Sequence, residues 1–225
     1  MSGTLYLVAT PIGNLEDITF RAVRVLKEAD IVACEDTRQT LKLLNRYDLK
    51  KNLISFYESR EKQRIPHLLN LLQSGRSIAL VTDAGTPGIS DPGFRLVREA
   101  VRLNIPVVPV PGPAAVTAAL AASGLPTHRF LFMGFAPVKK ESLRKTLLSV
   151  REEEGTIIFY LPARKIGSFL EALRDSFEDR PVVIAREMTK IYEEFLRGTP
   201  AELLEIAKTR EFKGEVTVLI QGAGK

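Results

Sequence analysis

The stretch SIALVTDAGTPGISDPG, residues 77–93, decides how this chain folds. Ser77–Thr82 is a short apolar run without helical spacing, the pattern of a buried strand. Asp83–Gly93 then brings three glycines, two prolines and two aspartates together within 11 residues. Glycine lets a backbone approach a ligand closely, and proline stiffens the loop that presents it. Phe94–Leu103 reads as the helix that follows. The same residues would also suit a plain strand-to-helix turn with Asp91 as the helix cap.

The pattern repeats on either side. Leu5–Thr10, Ile31–Cys34, Leu53–Phe56 and Val107–Val110 are strand-like, with helical spacing between them. Ile65, Leu68, Leu69 and Leu72 form an apolar stripe that stops at Gly75. Strands separated by helices predict βαβ units and a mainly parallel sheet. The proline-rich segment Pro106–Pro113 marks a boundary. It divides an N-terminal α/β domain, 1–112, from a C-terminal α/β domain, 113–225. Beyond it, Phe130–Gly134, Thr156–Leu161, Pro181–Arg186, Ile191–Arg197 and Glu215–Ile220 are strand-like. Their closer spacing predicts a mixed sheet. Helices are expected at Ala114–Ser123, Lys140–Glu152 and Lys165–Phe177. Thr199-Pro200-Ala201-Glu202 has the signature of a capping box.

Composition narrows the chemistry. The chain has 225 residues, of which 45% are hydrophobic and 26% charged, an ordinary globular balance. Lys and Arg outnumber Asp and Glu by 32 to 27, a formal charge of +5 that suits a polyanionic partner. Cys34 is the only cysteine and His67 and His128 the only histidines, so neither a disulfide nor a Cys- or His-based metal site is expected. A reducing, cytoplasmic setting follows. The N-terminus lacks the pattern of a signal peptide. The uncharged stretch from Leu103 to Thr127 holds five prolines, which excludes a membrane-spanning helix.

Open parallel sheets bind ligands beyond the carboxyl ends of their strands. The segments expected there are Pro11–Asn14, Glu35–Thr37, Asp83–Gly93, Pro111–Ala115, Leu161–Arg164 and Arg186–Lys190. Neither the Gly-x-Gly-x-x-Gly fingerprint nor the Gly-Lys-Ser/Thr loop occurs, which argues against a pyrophosphate cofactor. Glu35 lies 22 residues after Gly13, near where a ribose-binding acid would stand. An adenosine ligand without phosphates fits both facts. Glu35-Asp36-Thr37-Arg38 closes a strand with two acids and a base, although acids at a helix start also suit its dipole. Arg38, Lys42 and Arg46 form one basic helix face. From Arg38 to Arg64 there are eight basic residues, and Lys139, Lys140, Arg144, Lys145, Arg164 and Lys165 make a second basic region. Tyr47, Phe56, Tyr57 and Tyr160 lie near these in sequence, where they could stack on bases.

Taken together, these loops resemble the tetrapyrrole-methylase superfamily of S-adenosylmethionine-dependent methyltransferases. The matching segments are Leu5–Thr19, Cys34–Arg38, Thr82–Gly93, Pro111–Ala115, Ser123–Pro126, Phe132–Phe135, Arg186–Lys190 and Glu193-Glu194. Within that superfamily they are most similar to the bacterial branch that methylates a cytidine 2′-oxygen in the decoding region of small-subunit ribosomal RNA. One departure is Ala114, where the family's Pro-Gly-Pro-Ser-Ala motif has serine. Another is the end at Lys225, short of an extension that some members carry.

The resemblance implies two α/β domains with S-adenosylmethionine in the cleft between them, a homodimer, and small-subunit ribosomal RNA or the assembled subunit as partner. It places cofactor contacts at Pro11, Ile12, Thr86, Ile89, Ala114, Ala115, Leu161 and Met188. An acid among Glu35, Asp36 and Asp83 is expected to supply or orient a base. Arg38, Lys42, Arg46 and Lys190 are expected to hold substrate phosphates. Two alternatives use the same residues: a different acceptor within the superfamily, and a non-catalytic RNA-binding module.

Overall fold

The computed structural model describes residues 2–177 and 179–224. The chain divides into two compact units, Met1–Ala114 and Ala115–Lys225.

The first unit carries β1 (Leu5–Val8), α1 (Phe20–Glu28), β2 (Ile31–Cys34), α2 (Thr37–Arg46), β3 (Asn52–Ser55), α3 (Glu58–Gln73), β4 (Ile78–Leu80), α4 (Phe94–Arg102) and β5 (Val107–Val110). Its strands lie in the order β3-β2-β4-β1-β5, and every pairing is parallel. Parallel strands need crossovers, and the helices supply them, covering both faces. The strands are therefore buried through and through: all four residues of β2 and all three of β4 are inaccessible. One face packs Ile65, Leu68, Leu72 and Leu96; the other packs Ala22, Leu26, Leu43 and Leu44.

Three of these four helices stop by a local main-chain device. Asp48, Gly75 and Asn104, just past α2, α3 and α4, have φ of 53°, 92° and 54°. This left-handed residue turns the chain off the helix axis and into the next strand. All three turns lie at the amino edge of the sheet, opposite the strand ends that carry the long loops.

The second unit carries α5 (Ala115–Ser123), β6 (Phe130–Phe135), α6 (Lys140–Ser149), β7 (Thr156–Pro162), α7 (Ile166–Phe177), β8 (Val182–Arg186), β9 (Glu194–Gly198), α8 (Pro200–Thr209) and β10 (Glu215–Ile220). The sheet order is β6-β7-β10-β8-β9. Only the β6–β7 pairing is parallel, so the sheet is mixed, as the strand spacing predicted. The capping box at Thr199 and Glu202 forms as expected.

Candidate functional site

The carboxyl edge of the first sheet gathers three loops. Thr10 and Gly85 exchange both backbone hydrogen bonds, at 2.9 and 3.0 Å. The Thr10 hydroxyl donates to the Thr82 carbonyl at 3.0 Å. The Thr86 hydroxyl reaches the Pro113 carbonyl at 3.5 Å. The loops after β1, β4 and β5 are thus tied to one another, mostly through main-chain atoms. Gly85 has φ +89°, and a Cβ there would stand 3.7 Å from Ile12 Cγ2. Gly112 is closer still: its Cβ would meet the Ala9 Cβ at 3.0 Å. Pro11 and Ile12 are buried beneath this edge, whereas Ile89 is 49% exposed.

Carboxylates surround the loops. The Thr82 hydroxyl donates to Glu35 Oε2 at 3.2 Å. Asp83 Oδ1 accepts from the Asp36 N–H at 3.1 Å, joining the ends of β2 and β4. Burial pushes the Glu35 carboxyl above its ordinary value, and the Asp83 charge adds to this. Burial and the Asp36 charge likewise raise Asp83. Asp91 is raised most, to about 6, by burial and then by Glu35 and Asp83, with the Thr82 hydroxyl opposing. Asp36 is the exception. Its carboxylate accepts from the Arg38 N–H at 2.8 Å and pairs with the Arg38 guanidinium at 2.6 Å. These bonds hold it down at about 2. Asp36 is also the N-cap of α2, so the structural reading of this acid applies as well.

Asp91, the helix cap in the alternative reading of this loop as a plain turn, does not cap α4. The N-cap of α4 is Gly93, which makes no side-chain cap bond, because the loop doubles back before the helix starts. Its N–H instead donates to Glu61 Oε1 of α3 at 3.2 Å. Neither Asp91 as a member of the carboxylate group nor Glu61 was found as a site residue from sequence. The first suits a helix cap as well as a ligand loop in sequence. The second lies in a polar helix start and meets the loop only through the fold.

The row Arg38, Lys42 and Arg46 is exposed along α2, as its spacing predicted. Lys51 is not available in the same way. Its ammonium donates to the Ala29 carbonyl at 2.7 Å, closing the end of α1. Phe56 is buried in the core and offers no face for stacking. The Tyr47 hydroxyl donates to the Leu15 carbonyl at 2.7 Å, and the Tyr160 ring lies edge-on to Phe132 and Phe135 at 4.8 and 5.6 Å.

In the second unit, Leu161 and Met188 are buried and Ala115 is half-buried. Met188 sits between two residues in the left-handed region, Glu187 at φ 49° and Thr189 at φ 65°. Such backbone is costly and persists only where its surroundings fix it. Here Glu187 Oε1 accepts from Lys190 Nζ and from the Glu215 N–H, each at 3.0 Å. Lys190 also pairs with Glu215 Oε2 at 3.0 Å, so it is held between two carboxylates. Among the described residues, no three metal-ligating side chains converge, and no helix is long and apolar enough to cross a membrane.

The donor set at the first unit's edge decides what fits. Segments 9–14, 83–93 and 111–114 contain two aspartates and no Lys or Arg. Apolar side chains and acids with no Lys or Arg suit a nucleoside carrying a positive charge. They do not suit a phosphate. S-adenosylmethionine, with its adenosine and its sulfonium, fits this set.

The fold and the site define an α/β protein whose parallel sheet ends in tied, acid-bearing glycine loops. More narrowly, the chain belongs to the tetrapyrrole (corrin/porphyrin) methylase family, whose sequence pattern matches residues 4–204. A relative from Halalkalibacterium halodurans, named ribosomal RNA small subunit methyltransferase I, is 49% identical over 223 residues, covering 99% of this chain and 77% of its own. One of the same name from Thermotoga maritima is 46% identical over 220 residues, covering 98% and 99%. The fold is also that of a uroporphyrin-III C-methyltransferase from Thermus thermophilus complexed with S-adenyl homocysteine, with TM-score 0.65, 22% identity and 97% of each chain covered.

Proposed function

We propose that this chain transfers a methyl group from S-adenosylmethionine to the 2′-oxygen of a cytidine in small-subunit ribosomal RNA. The observation that carries the cofactor reading is the edge loop set, acidic and apolar and free of Lys and Arg. The ribosomal substrate rests on the relatives' shared name and on the exposed basic row of α2. The cofactor, when bound, supplies a methyl carbon already activated by its sulfonium.

The residues then have separate tasks. Pro11, Ile12, Thr86, Ile89, Ala114, Ala115, Leu161 and Met188 are assigned to hold the cofactor, several through main-chain groups. Fixing attacking oxygen, methyl carbon and sulfur near one line removes most of the entropic barrier, an effect of roughly 7–11 kcal/mol. A protonated hydroxyl is a poor nucleophile, and a positioned base adds about 10²–10⁴-fold. Glu35 and Asp83 suit that role, because both are raised toward working pH. Asp36, held low by Arg38, suits a positioning role. It aims Arg38, which with Lys42 and Arg46 would track substrate phosphates. Lys190 can take a phosphate only by leaving its two carboxylates. The acting unit is proposed to be a homodimer, which sedimentation measures directly.

The test is transfer of tritiated methyl from S-adenosylmethionine to small ribosomal subunits, followed by mapping of the labelled nucleotide. Label on a cytidine ribose is expected. Label on a base, or on no RNA, overturns the reading. Saturable S-adenosylmethionine binding by calorimetry separates the enzyme from a pure RNA-binding module.

A further inference from the structure

Both α3 and α4 follow strands of one parallel sheet, so both start at its carboxyl edge and run away from it side by side. A groove of about 620 Å³ runs between them. Ile65, Pro66 and Leu69 give it apolar walls, and Lys62, Arg95 and Arg98 add three cations, of which Arg98 pairs with Glu99 at 3.4 Å. The mouth adjoins the site loops, because Glu61 in the first turns of α3 holds the Gly93 N–H and pairs with Arg95 at 3.5 Å.

The mouth is also aromatic. Phe94, the first residue of α4, is 64% exposed, far beyond what a core residue would be. The Arg98 guanidinium lies 5.8 Å from its ring centre. At the start of α3, its cap residue Tyr57 carries Arg60 in the same way, at 5.7 Å. Inside the groove, Pro66 interrupts the hydrogen bonding of α3. Proline has no N–H, so the Lys62 carbonyl loses its helical donor. Asn70 and Gln73 add amide groups further along.

These features match one ligand chemistry. An exposed ring stacks a base, cations track a phosphate backbone, and amide groups take ribose hydroxyls. A duplex offers no open base face to Phe94, so the strand must be single. We propose that the α3–α4 groove, with Phe94 at its mouth, seats the single-stranded RNA segment leading away from the target nucleotide. The proposal rests on the reading of this chain as a ribosomal RNA methyltransferase.

The experiment uses the full chain and a fluorescent single-stranded RNA fragment of the small-subunit decoding region, with calorimetry for S-adenosylmethionine. Phe94→Ala is expected to weaken RNA binding roughly 5- to 100-fold. Lys62→Ala/Arg98→Ala is expected to lower the slope of log affinity against log salt by about 1.4, two single-strand phosphates. S-adenosylmethionine affinity should stay at the wild-type value, and in subunit methylation KM should rise with kcat held. All three side chains are at the surface, so an unchanged melting temperature confirms intact variants. Unaltered RNA affinity and salt slope in both variants overturn the proposal. So does a change in self-association, without a change in RNA affinity, on replacing Phe94. If the wild-type chain methylates no small subunit, the functional reading falls, and the RNA-binding arm still decides the groove.

Discussion

Glu61 Oε1 accepts the Gly93 N–H at 3.2 Å, tying the start of α3 to the residue from which α4 begins. The carboxylate is 5% exposed and has Arg95 as its counter-charge at 3.5 Å. Glu61→Ala leaves a buried N–H without its acceptor and Arg95 without its partner. A loss of about 1–3 kcal/mol in denaturant unfolding is expected. Glu61→Gln keeps an acceptor at the same place and should recover most of that loss. If Ala and Gln behave alike, the hydrogen bond is not what holds the loop.

Gly93 itself should tolerate nothing larger. Its φ is +140°, and a Cβ would meet Leu80 Cδ2 at 3.0 Å and the Gly88 nitrogen at 3.3 Å. Leu80 is locked in the core, so the loop must move instead. Gly93→Ala is expected to cost about 1–3 kcal/mol through backbone strain. It should also weaken S-adenosylmethionine binding. Gly124→Ala is the control: φ is +82° there, with nothing within 4 Å of the new Cβ. It should be the milder of the two by thermal unfolding, and should leave cofactor binding alone.

Asp91 gives a pH signature. Its folded value is about 6, against 3.8 for the ordinary side chain. The fold therefore holds the proton more tightly than the unfolded chain does. The resulting stabilisation is present below about pH 4 and is lost as pH rises through about 6. Asp91→Asn removes the charge that the fold opposes. Its melting temperature should match wild type near pH 4 and exceed it above pH 7. A constant difference at all pH values would place the raised ionisation elsewhere.

Turnover separates the three acids at the ends of β2 and β4. Glu35→Gln or Asp83→Asn is expected to slow methyl transfer by about 10²–10⁴-fold if that residue is the base. Asp36→Asn keeps the cap of α2 but loosens Arg38, so KM for RNA should rise more than kcat falls. Full rate in both the Glu35 and Asp83 variants, with cofactor binding intact, removes these acids from the chemistry.

Much of this architecture was legible because buried parallel strands are short and apolar. Ile31–Cys34 and Val107–Val110 can be read to the residue. Other boundaries moved for local reasons. α3 begins at Glu58, seven residues before its apolar stripe, because its first turns are polar and carry no hydrophobic period. β9 begins at Glu194 rather than Ile191, because Glu193 turns back to take the Thr189 N–H at 2.6 Å. The site was legible as loops but not as contacts. Sequence order brings Asp36 and Asp83 no closer than 47 positions, and only the sheet order β2-β4 makes them neighbours. Phe94 went unread for a related reason: an aromatic beginning an amphipathic helix looks like core until its exposure is seen.

The left-handed turns after α2, α3 and α4 have a practical use. They sit at the sheet's far rim from the loops proposed to hold the cofactor, and each is closed by its own backbone. Extra chain inserted at the Asp48 or Asn104 turn would lengthen the protein away from its working edge. An affinity handle, a fluorophore or a surface tether belongs there, where it can report on the enzyme without shading what enters it.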